Sequence, residues 1–291
     1  MITDSKNAVI ENSDFNNDSG HLIFNEQFDF ESHSLIEIAM AIESELTGSK
    51  VADIKQELML QHIVIKSKLS NFSSPDKDKL TELINIIYNQ QGFTGDWKAF
   101  FKVENALISK VVARRKGIPI SMGVVLLDLL EVCGFKAQGI CFPSGFMVRL
   151  PLENEVVYID PFTGEMPTWE GLELKVRGQL GNHARLTLDM LKPDTNKTII
   201  KRLLTVIKAA YLQDDQLTLA LLCSDILLRI DPEDAYEVRD RGFIFQQLDC
   251  FKLASSDFEY FIEQYPEDPI VMLLKQQINK MKIEKNTQTI H

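Results

Sequence analysis

The stretch that decides the fold is residues 114–160, RRKGIPISMGVVLLDLLEVCGFKAQGICFPSGFMVRLPLENEVVYID. Its basic triplet predicts the last turn of a helix that ends at Gly117, because basic side chains complement the negative end of the helix dipole and glycine often follows a helix. Pro119 forces a break. The next predicted helix begins at Ser121, ends at Gly134 and is apolar on nearly every side. A helix of that composition is buried on all sides, so the stretch predicts the centre of a domain.

Short β-patterned runs follow the buried helix. They cover residues 136–142, 146–150 and 155–160, and Glu153 with Asn154 fits a hairpin tip between the second and the third. Helices that precede an antiparallel meander predict an α+β domain.

The chain before this stretch predicts helices behind a polar leader. Residues 1–20 are rich in Asn, Asp and Ser and are expected to be flexible, while residues 22–30 fit an extended arm packed on the domain. Helices are predicted in the three ranges 34–48, 51–69 and 74–91.

Local sequence patterns predict the structural roles of four further side chains in this region. Ser34 and Ser74, the latter followed by Pro75, are predicted N-caps, and Asn105 is predicted to cap the helix that leads to Gly117. Trp97, in the turn GFTGDW, is predicted to pack in the core.

Composition describes an acidic globular protein. The 291 residues are 45% hydrophobic and 25% charged, with a formal net charge of −11. That charge argues against nucleic-acid binding, and no apolar run reaches the roughly 18 residues of a membrane span. The four cysteines lack CxxC spacing and no secretory signal is recognisable, which predicts reduced thiols in a cytoplasmic protein. Neither metal-ligand spacing nor a phosphate-binding glycine loop occurs, so no metal or cofactor is predicted.

Beyond a domain boundary predicted near residue 193, the chain repeats itself with a period of 34 residues. The shift superimposes three pairs of similar residues: Pro232 on Pro266, Ala220 on Ala254 and Tyr211 on Phe245. This pattern resembles the tetratricopeptide repeat and predicts two all-α repeats, at 201–234 and 235–268, with a closing helix from Pro269. Two repeats bury little apolar surface, so we expect them to pack on the first domain or on a partner.

Residues 114–160 also have the layout of a papain- or transglutaminase-like site. Such a site needs a Cys at a helix start, a His on a strand as base and an Asp that orients the His. Here the helix start has Ser121, the strand where the His is expected reads FPSGF at 142–146, and Asp160 ends the third strand. A hydroxyl without a base is a poor nucleophile, so Ser121 is predicted to be a structural N-cap. Arg149 is a candidate binding residue that could pair with Asp160.

Three segments carry a family resemblance: RRKGIPIS at 114–121, CFPSGFMVR at 141–149 and YIDPFTGE at 158–165. Together with the repeats, they resemble the bacterial SirB-type family of transglutaminase-like proteins over about residues 33–285. The resemblance implies a transglutaminase-like (papain-like) α+β domain, a helical repeat domain and a loosely defined regulatory role in the cytoplasm. In the family pattern a His usually stands where this chain has Gly145.

These observations divide the chain into four parts: a leader and arm at 1–32, a transglutaminase-like domain at 33–192, repeats at 193–285 and a disordered tail at 286–291.

Two functions fit this organisation. The first is a non-catalytic, regulatory interaction protein with a degenerate site, whose repeats bind a protein or peptide partner. Its pocket at Ser121, Arg149 and Asp160 is either closed or binds a chain terminus or an extended peptide. The second is a hydrolase or acyl-transferase that uses Ser121, with His183 or water as the base. Neither function involves nucleic acid or a membrane, and the sequence leaves the oligomeric state open.

Overall fold

A computed structural model describes residues 24–288, so the predicted leader at 1–20 and the last residues of the predicted tail lie outside the described part. The α-helices are α1 (Leu35–Thr47), α2 (Val51–Lys68), α3 (Lys77–Ile84), α4 (Ile108–Arg114), α5 (Pro119–Val132), α6 (Trp169–Leu180), α7 (Asn196–Gln213), α8 (Leu217–Ile230), α9 (Ala235–Gln247), α10 (Phe251–Gln264) and α11 (Val271–Gln288). The strands are β1 (Thr94–Gly95), β2 (Lys116–Gly117), β3 (Gln138–Ile140), β4 (Met147–Pro151) and β5 (Val156–Ile159).

Helix α5 is the centre of the first domain, as its composition predicts. It is buried along most of its length and contacts helices α1, α2, α4 and α7 as well as strands β3 and β4. The sheet order is β3-β4-β5, entirely antiparallel, which confirms the meander and the α+β plan. The predicted hairpin tip is also confirmed, because the Leu152 N–H donates to the Glu155 carbonyl at 2.8 Å. A separate parallel pair, β1 with β2, lies at the N-terminal end of α5.

Helix ends that depend on local chemistry are partly as predicted. Ser34 caps α1 in a reciprocal capping box with Glu37, and Gly48 ends that helix with φ 69°. The prediction for α3 was wrong: Asp76 is the cap, because its carboxylate accepts from the Lys79 N–H at 2.9 Å, and Ser74 and Pro75 precede it.

The end of α4 also differs from the prediction. Arg115 (φ 56°), not Gly117, is the left-handed residue after this helix. Gly117 lies in β2, where a Cβ atom would come within 2.9 Å of the Ser121 hydroxyl, so its glycine is explained by close packing. Asn105 was predicted to cap this helix and instead ends a 3₁₀ turn at Val103–Asn105, before α4 begins.

The prediction for Trp97 was wrong as well. Its ring is 73% exposed and only touches buried Phe162, edge to face at 4.3 Å between centroids. The turn around it is held by polar contacts of Asp96, which free the indole to face solvent.

The predicted arm packs on the domain, in turns rather than as an extended strand. Phe24, Phe28 and Phe30 are buried, and their rings meet edge to face. The Asn196 side chain at the start of α7 donates to the backbone carbonyls of Phe30 and His33, which ties the arm to the helical repeats.

The period of 34 residues is visible in the backbone. Asp215 and Asp249, one period apart, each follow the first helix of a pair and have φ 57°. Helices α7 and α8 share one apolar cluster with α1 and α5, so the repeats do lean on the first domain. Helix α11, the predicted closing helix, begins at Val271 and continues past residue 285 to Gln288.

Candidate functional site

Ser121 lies in the first turn of α5 and not at its N-cap, which corrects the prediction. The helix begins at Pro119, whose missing N–H is no loss at that position, and Ile118 is the cap residue. Because isoleucine has no polar side chain, Ser121 reaches back and its hydroxyl accepts from the Ile118 N–H at 3.3 Å. The hydroxyl donates to the Asn105 carbonyl at 2.5 Å, and the residue is 0% exposed.

Gly145 lies against the same helix start. A Cβ atom built on Gly145 would contact Pro119 at 3.3 Å, so the position expected for the base does face the first turn of α5. Its φ of 145° lies in a region that residues other than glycine rarely adopt. A larger side chain would therefore be strained in this backbone conformation.

Asp160 completes the group from the other strand. It follows β5, and in the antiparallel β4–β5 pair the end of β5 and the start of β4 lie at one edge of the sheet, so Asp160 is on the side of Gly145. Its carboxylate is engaged twice: one oxygen accepts from the Phe162 N–H at 2.9 Å and the other from the Lys175 ammonium at 2.7 Å. The three predicted positions are thus brought to one end of the domain.

A half-buried tyrosine holds the Asp160 turn. The Tyr88 hydroxyl donates to the Pro161 carbonyl at 2.7 Å. Burial raises the pKa of Tyr88 well above its ordinary value, and the negative charge of Asp160 adds to the rise. Tyr88 is therefore a neutral hydrogen-bond donor here.

Arg149 does not pair with Asp160, contrary to the pairing considered from the sequence. Its guanidinium donates to the side chain of Gln138, its cross-strand partner on β3, at 2.5 Å. Lys175 on α6 takes the place of Arg149, and sequence analysis missed it because no local pattern links positions on different elements. His183 is exposed in the loop after α6, and the Ser121 hydroxyl bonds to carbonyl and amide groups rather than to that imidazole.

A second polar centre, also missed, lies under the turn of Trp97. Asp96 accepts from the Asn105 side-chain amide and the Arg114 guanidinium, both at 3.2 Å, and the side-chain oxygen Oδ1 of Asn105 accepts from Arg114 at 2.9 Å. Burial favours a raised pKa, but the hydrogen bonds and the Arg114 charge outweigh it and hold the pKa of Asp96 below its ordinary value. The signal in the sequence is an Asp that can bond the backbone two and three residues later, as it does at Lys98 and Ala99.

Three of the four cysteines, Cys133, Cys141 and Cys223, are buried or partly buried packing residues, whereas Cys250 is exposed. All four are unpaired. Burial raises the pKa of Cys133, that of Cys141 to about 11 and that of Cys223 to about 12, so thiolate is scarce at neutral pH. Among residues 24–288, no three His, Cys, Asp or Glu side chains are grouped as metal ligands.

Comparisons with known proteins show which family the chain belongs to. A family model described as transglutaminase-like superfamily matches residues 47–205, and one described as tetratricopeptide repeat matches residues 207–279. A UPF0162 protein of Vibrio cholerae is 37% identical over 270 residues, which cover 90% of this chain and 97% of that protein. Protein SirB1 of Salmonella typhimurium is 35% identical over 216 residues, 74% of this chain and 80% of SirB1. The UPF0162 protein YchA of Escherichia coli K12 is 32% identical over 257 residues, 87% and 95% of the two chains.

The class is therefore a transglutaminase-like domain followed by tetratricopeptide repeats. The chain belongs to the SirB1/UPF0162 family. No solved structure matches it. Over residues 24–288, none of the helices combines the length and the apolar composition that a membrane crossing requires.

Proposed function

We propose that this protein is a non-catalytic interaction protein of the cytoplasm, in which a transglutaminase-like domain without its chemistry carries repeats that bind a protein or peptide partner. The observation that carries the proposal is at Ser121. A nucleophile must reach its substrate and give its proton to a base. This hydroxyl is buried and directs its proton to the Asn105 carbonyl.

The neighbouring positions support the same proposal. Gly145 supplies no base. Asp160, which would orient a catalytic histidine, instead accepts from Phe162 and Lys175 and so stabilises its own turn. With both carboxylate oxygens engaged, Asp160 has a sufficient structural role.

The repeats supply the binding surface in this proposal. Stacked helical repeats form extended concave surfaces that hold partner segments. Gln246 on α9 donates to Gln277 on α11 at 2.8 Å, so the two helices are held side by side. They carry exposed apolar side chains, Tyr236 on α9 and Leu273 on α11, that suit contact with a partner.

A matched pair of variants tests the binding role. We expect Leu273→Asp to reduce capture of a partner from native lysate by about tenfold or more, because a carboxylate replaces an apolar contact. Leu174→Asp, at an exposed leucine on α6 outside the repeats, is expected to leave capture unchanged. Equal recovery of the partner with both variants, or no partner with the wild type, would contradict the proposal.

A second test addresses the chemistry. We expect the wild type to remain unlabelled by a serine-reactive activity probe, and Ser121→Ala to lose about 1 to 2 kcal/mol of unfolding free energy because the Asn105 carbonyl loses a buried donor. Ser256→Ala, at an exposed serine of α10, is the control and should be neutral. Probe labelling of the wild type that disappears in Ser121→Ala would sink the non-catalytic assignment.

A further inference from the structure

A group of exposed aromatic rings lies beside the Asp96 turn and has no part in the site described above. Trp97 is 73%, Phe101 64% and Phe100 36% exposed. Phe100 and Phe101 meet edge to face at 5.2 Å, and Trp97 and Phe100 both contact the ring of buried Phe162. We call Trp97, Phe100 and Phe101 the aromatic platform. Contiguous exposed apolar surface on a soluble protein marks an interaction site.

The aromatic platform is built on a fixed turn. The Asp96 carboxylate accepts from the backbone N–H groups of Lys98 and Ala99 at 3.2 and 3.1 Å. Its other oxygen is held by Asn105 and Arg114. A turn fixed in advance loses little conformational entropy on binding, which favours affinity.

The local charge around the aromatic platform is positive, whereas the net charge of the protein is negative. Residues 97–116 contain six basic side chains and one acidic side chain, Glu104, in a chain of net charge −11. Lys98 and Lys102 lie in the turn itself, and Lys116 lies on β2 beside β1, which leads into Asp96. All three lysines are exposed, and none forms an ion pair with a residue in the described range 24–288.

We propose that the aromatic platform binds an acidic segment of a protein partner, with an apolar side chain of that segment on Trp97 and Phe101 and its carboxylates beside Lys98, Lys102 and Lys116. The surface belongs to the transglutaminase-like domain, so it is independent of the repeat surface in the proposed function. Local charge selects this occupant. A short acidic segment interacts mainly with the nearby lysines, because salt screens the attraction and repulsion of charges that are more than roughly 10 Å away. A membrane or a nucleic acid extends over much more of the protein surface and is repelled by the negative charge of the whole chain.

The test is selection of short random peptides, displayed on phage, on the full-length protein. We expect the selected peptides to be enriched in Asp and Glu around an apolar or aromatic residue and to bind more weakly as salt rises. Trp97→Ala combined with Phe101→Ala should weaken binding about 30-fold, the effect of losing interface hot spots. Lys98→Glu combined with Lys102→Glu removes the charge without touching the rings and should also weaken binding.

Controls separate this proposal from folding defects and from the repeat surface. Leu188→Ala removes another highly exposed apolar side chain and should leave peptide affinity unchanged, as should Leu273→Asp on the repeats. Selected peptides without acidic enrichment, or with equal affinity for the platform variants, would overturn the proposal. So would platform-dependent binding to anionic phospholipid vesicles or to RNA in place of acidic peptides, or saturation of the surface by a synthetic peptide of residues 1–20 of this chain.

Discussion

Replacing Lys208 with alanine is expected to lower the free energy of unfolding by about 3 to 5 kcal/mol, the cost of breaking a buried ion pair from one side. Lys208 on α7 is 4% exposed, and its ammonium donates to both carboxylate oxygens of Glu237 on α9 at 2.6 Å. The Ser224 hydroxyl on α8 donates to the same carboxylate. Without Lys208, a carboxylate would remain buried between three helices with one hydroxyl as its main partner.

The loss should depend on pH with a defined sign. Burial raises the pKa of Glu237 above its ordinary value, and the Lys208 charge opposes that rise. Without Lys208 the pKa rises further, so the folded variant binds a proton that the unfolded chain releases. A group with a raised folded-state pKa stabilises the fold fully below its unfolded pKa and loses that contribution as the pH rises through the folded value. The defect of Lys208→Ala is therefore expected to shrink as the pH falls from neutral toward about 5.

Urea unfolding followed by far-UV circular dichroism measures this effect. Trp97 and Trp169, the two tryptophans of the chain, precede the repeats, so their fluorescence does not report on this region directly. Lys201→Ala is the control: its ammonium bonds Asp231 at 2.6 Å and Asp234 at 3.1 Å, but all three side chains are partly exposed and the contacts should contribute less than about 1 kcal/mol. Equal losses for the two lysine variants would refute the prediction. The double variant Lys208→Met with Glu237→Leu should recover stability.

Gly123→Ala is expected to destabilise the protein by roughly 3 kcal/mol, at the upper end for added volume in a packed core. Gly123 lies within α5, and a Cβ atom there would overlap the ring of buried Phe146. The ring has little room to retreat, because its far end already lies against Gly139 on β3, so closely that a Cβ atom there would come within 2.6 Å of it. Phe146 thus occupies a slot between the helix and the sheet that two glycines keep open.

Gly178→Ala provides the matched control. It is the same substitution within a helix, α6, but at a position where a Cβ atom meets nothing within 4 Å. Alanine should raise stability there by about 0.5 to 1 kcal/mol, since glycine loses more backbone entropy on folding. Thermal and urea unfolding of both variants should give shifts of opposite sign, and a stabilising or neutral Gly123→Ala would show that the ring has room to move.

The parts of the fold that sequence could predict are those set by local rules. The apolar character of α5 determines its burial, and Ser34 with Glu37 carries its own capping geometry. The predicted N-cap of α3 was wrong because Asp76 and Ser74 both suit an N-cap and only the packed structure chooses between them. Gly123 in the middle of a predicted helix gives no local indication that Phe146 lies above it.

In the candidate site, too, some residues could be predicted from local sequence and others depend on long-range packing. Ser121, Gly145 and Asp160 were predicted from a known site layout and a family resemblance, and the structure brings those positions to one end of the domain. Lys175 could not be found, since its contact with Asp160 depends on how α6 returns to the sheet. Trp97 was misplaced because a large aromatic residue in a turn is usually buried, whereas here Asp96 fixes the turn and the ring remains outside.

Helix α7 runs unbroken from Asn196 to Gln213, across the point where the matches to the two family models meet at 205 and 207. Its buried face, which includes Ile200 and Leu204, belongs to the same apolar cluster as α1 and α5. The two domains are therefore joined at this junction by a continuous, rigid helix rather than by a hinge. A force that a partner applies to the repeats would be transmitted through α7 to the first domain. Limited proteolysis should fail to release the two halves as separate soluble fragments.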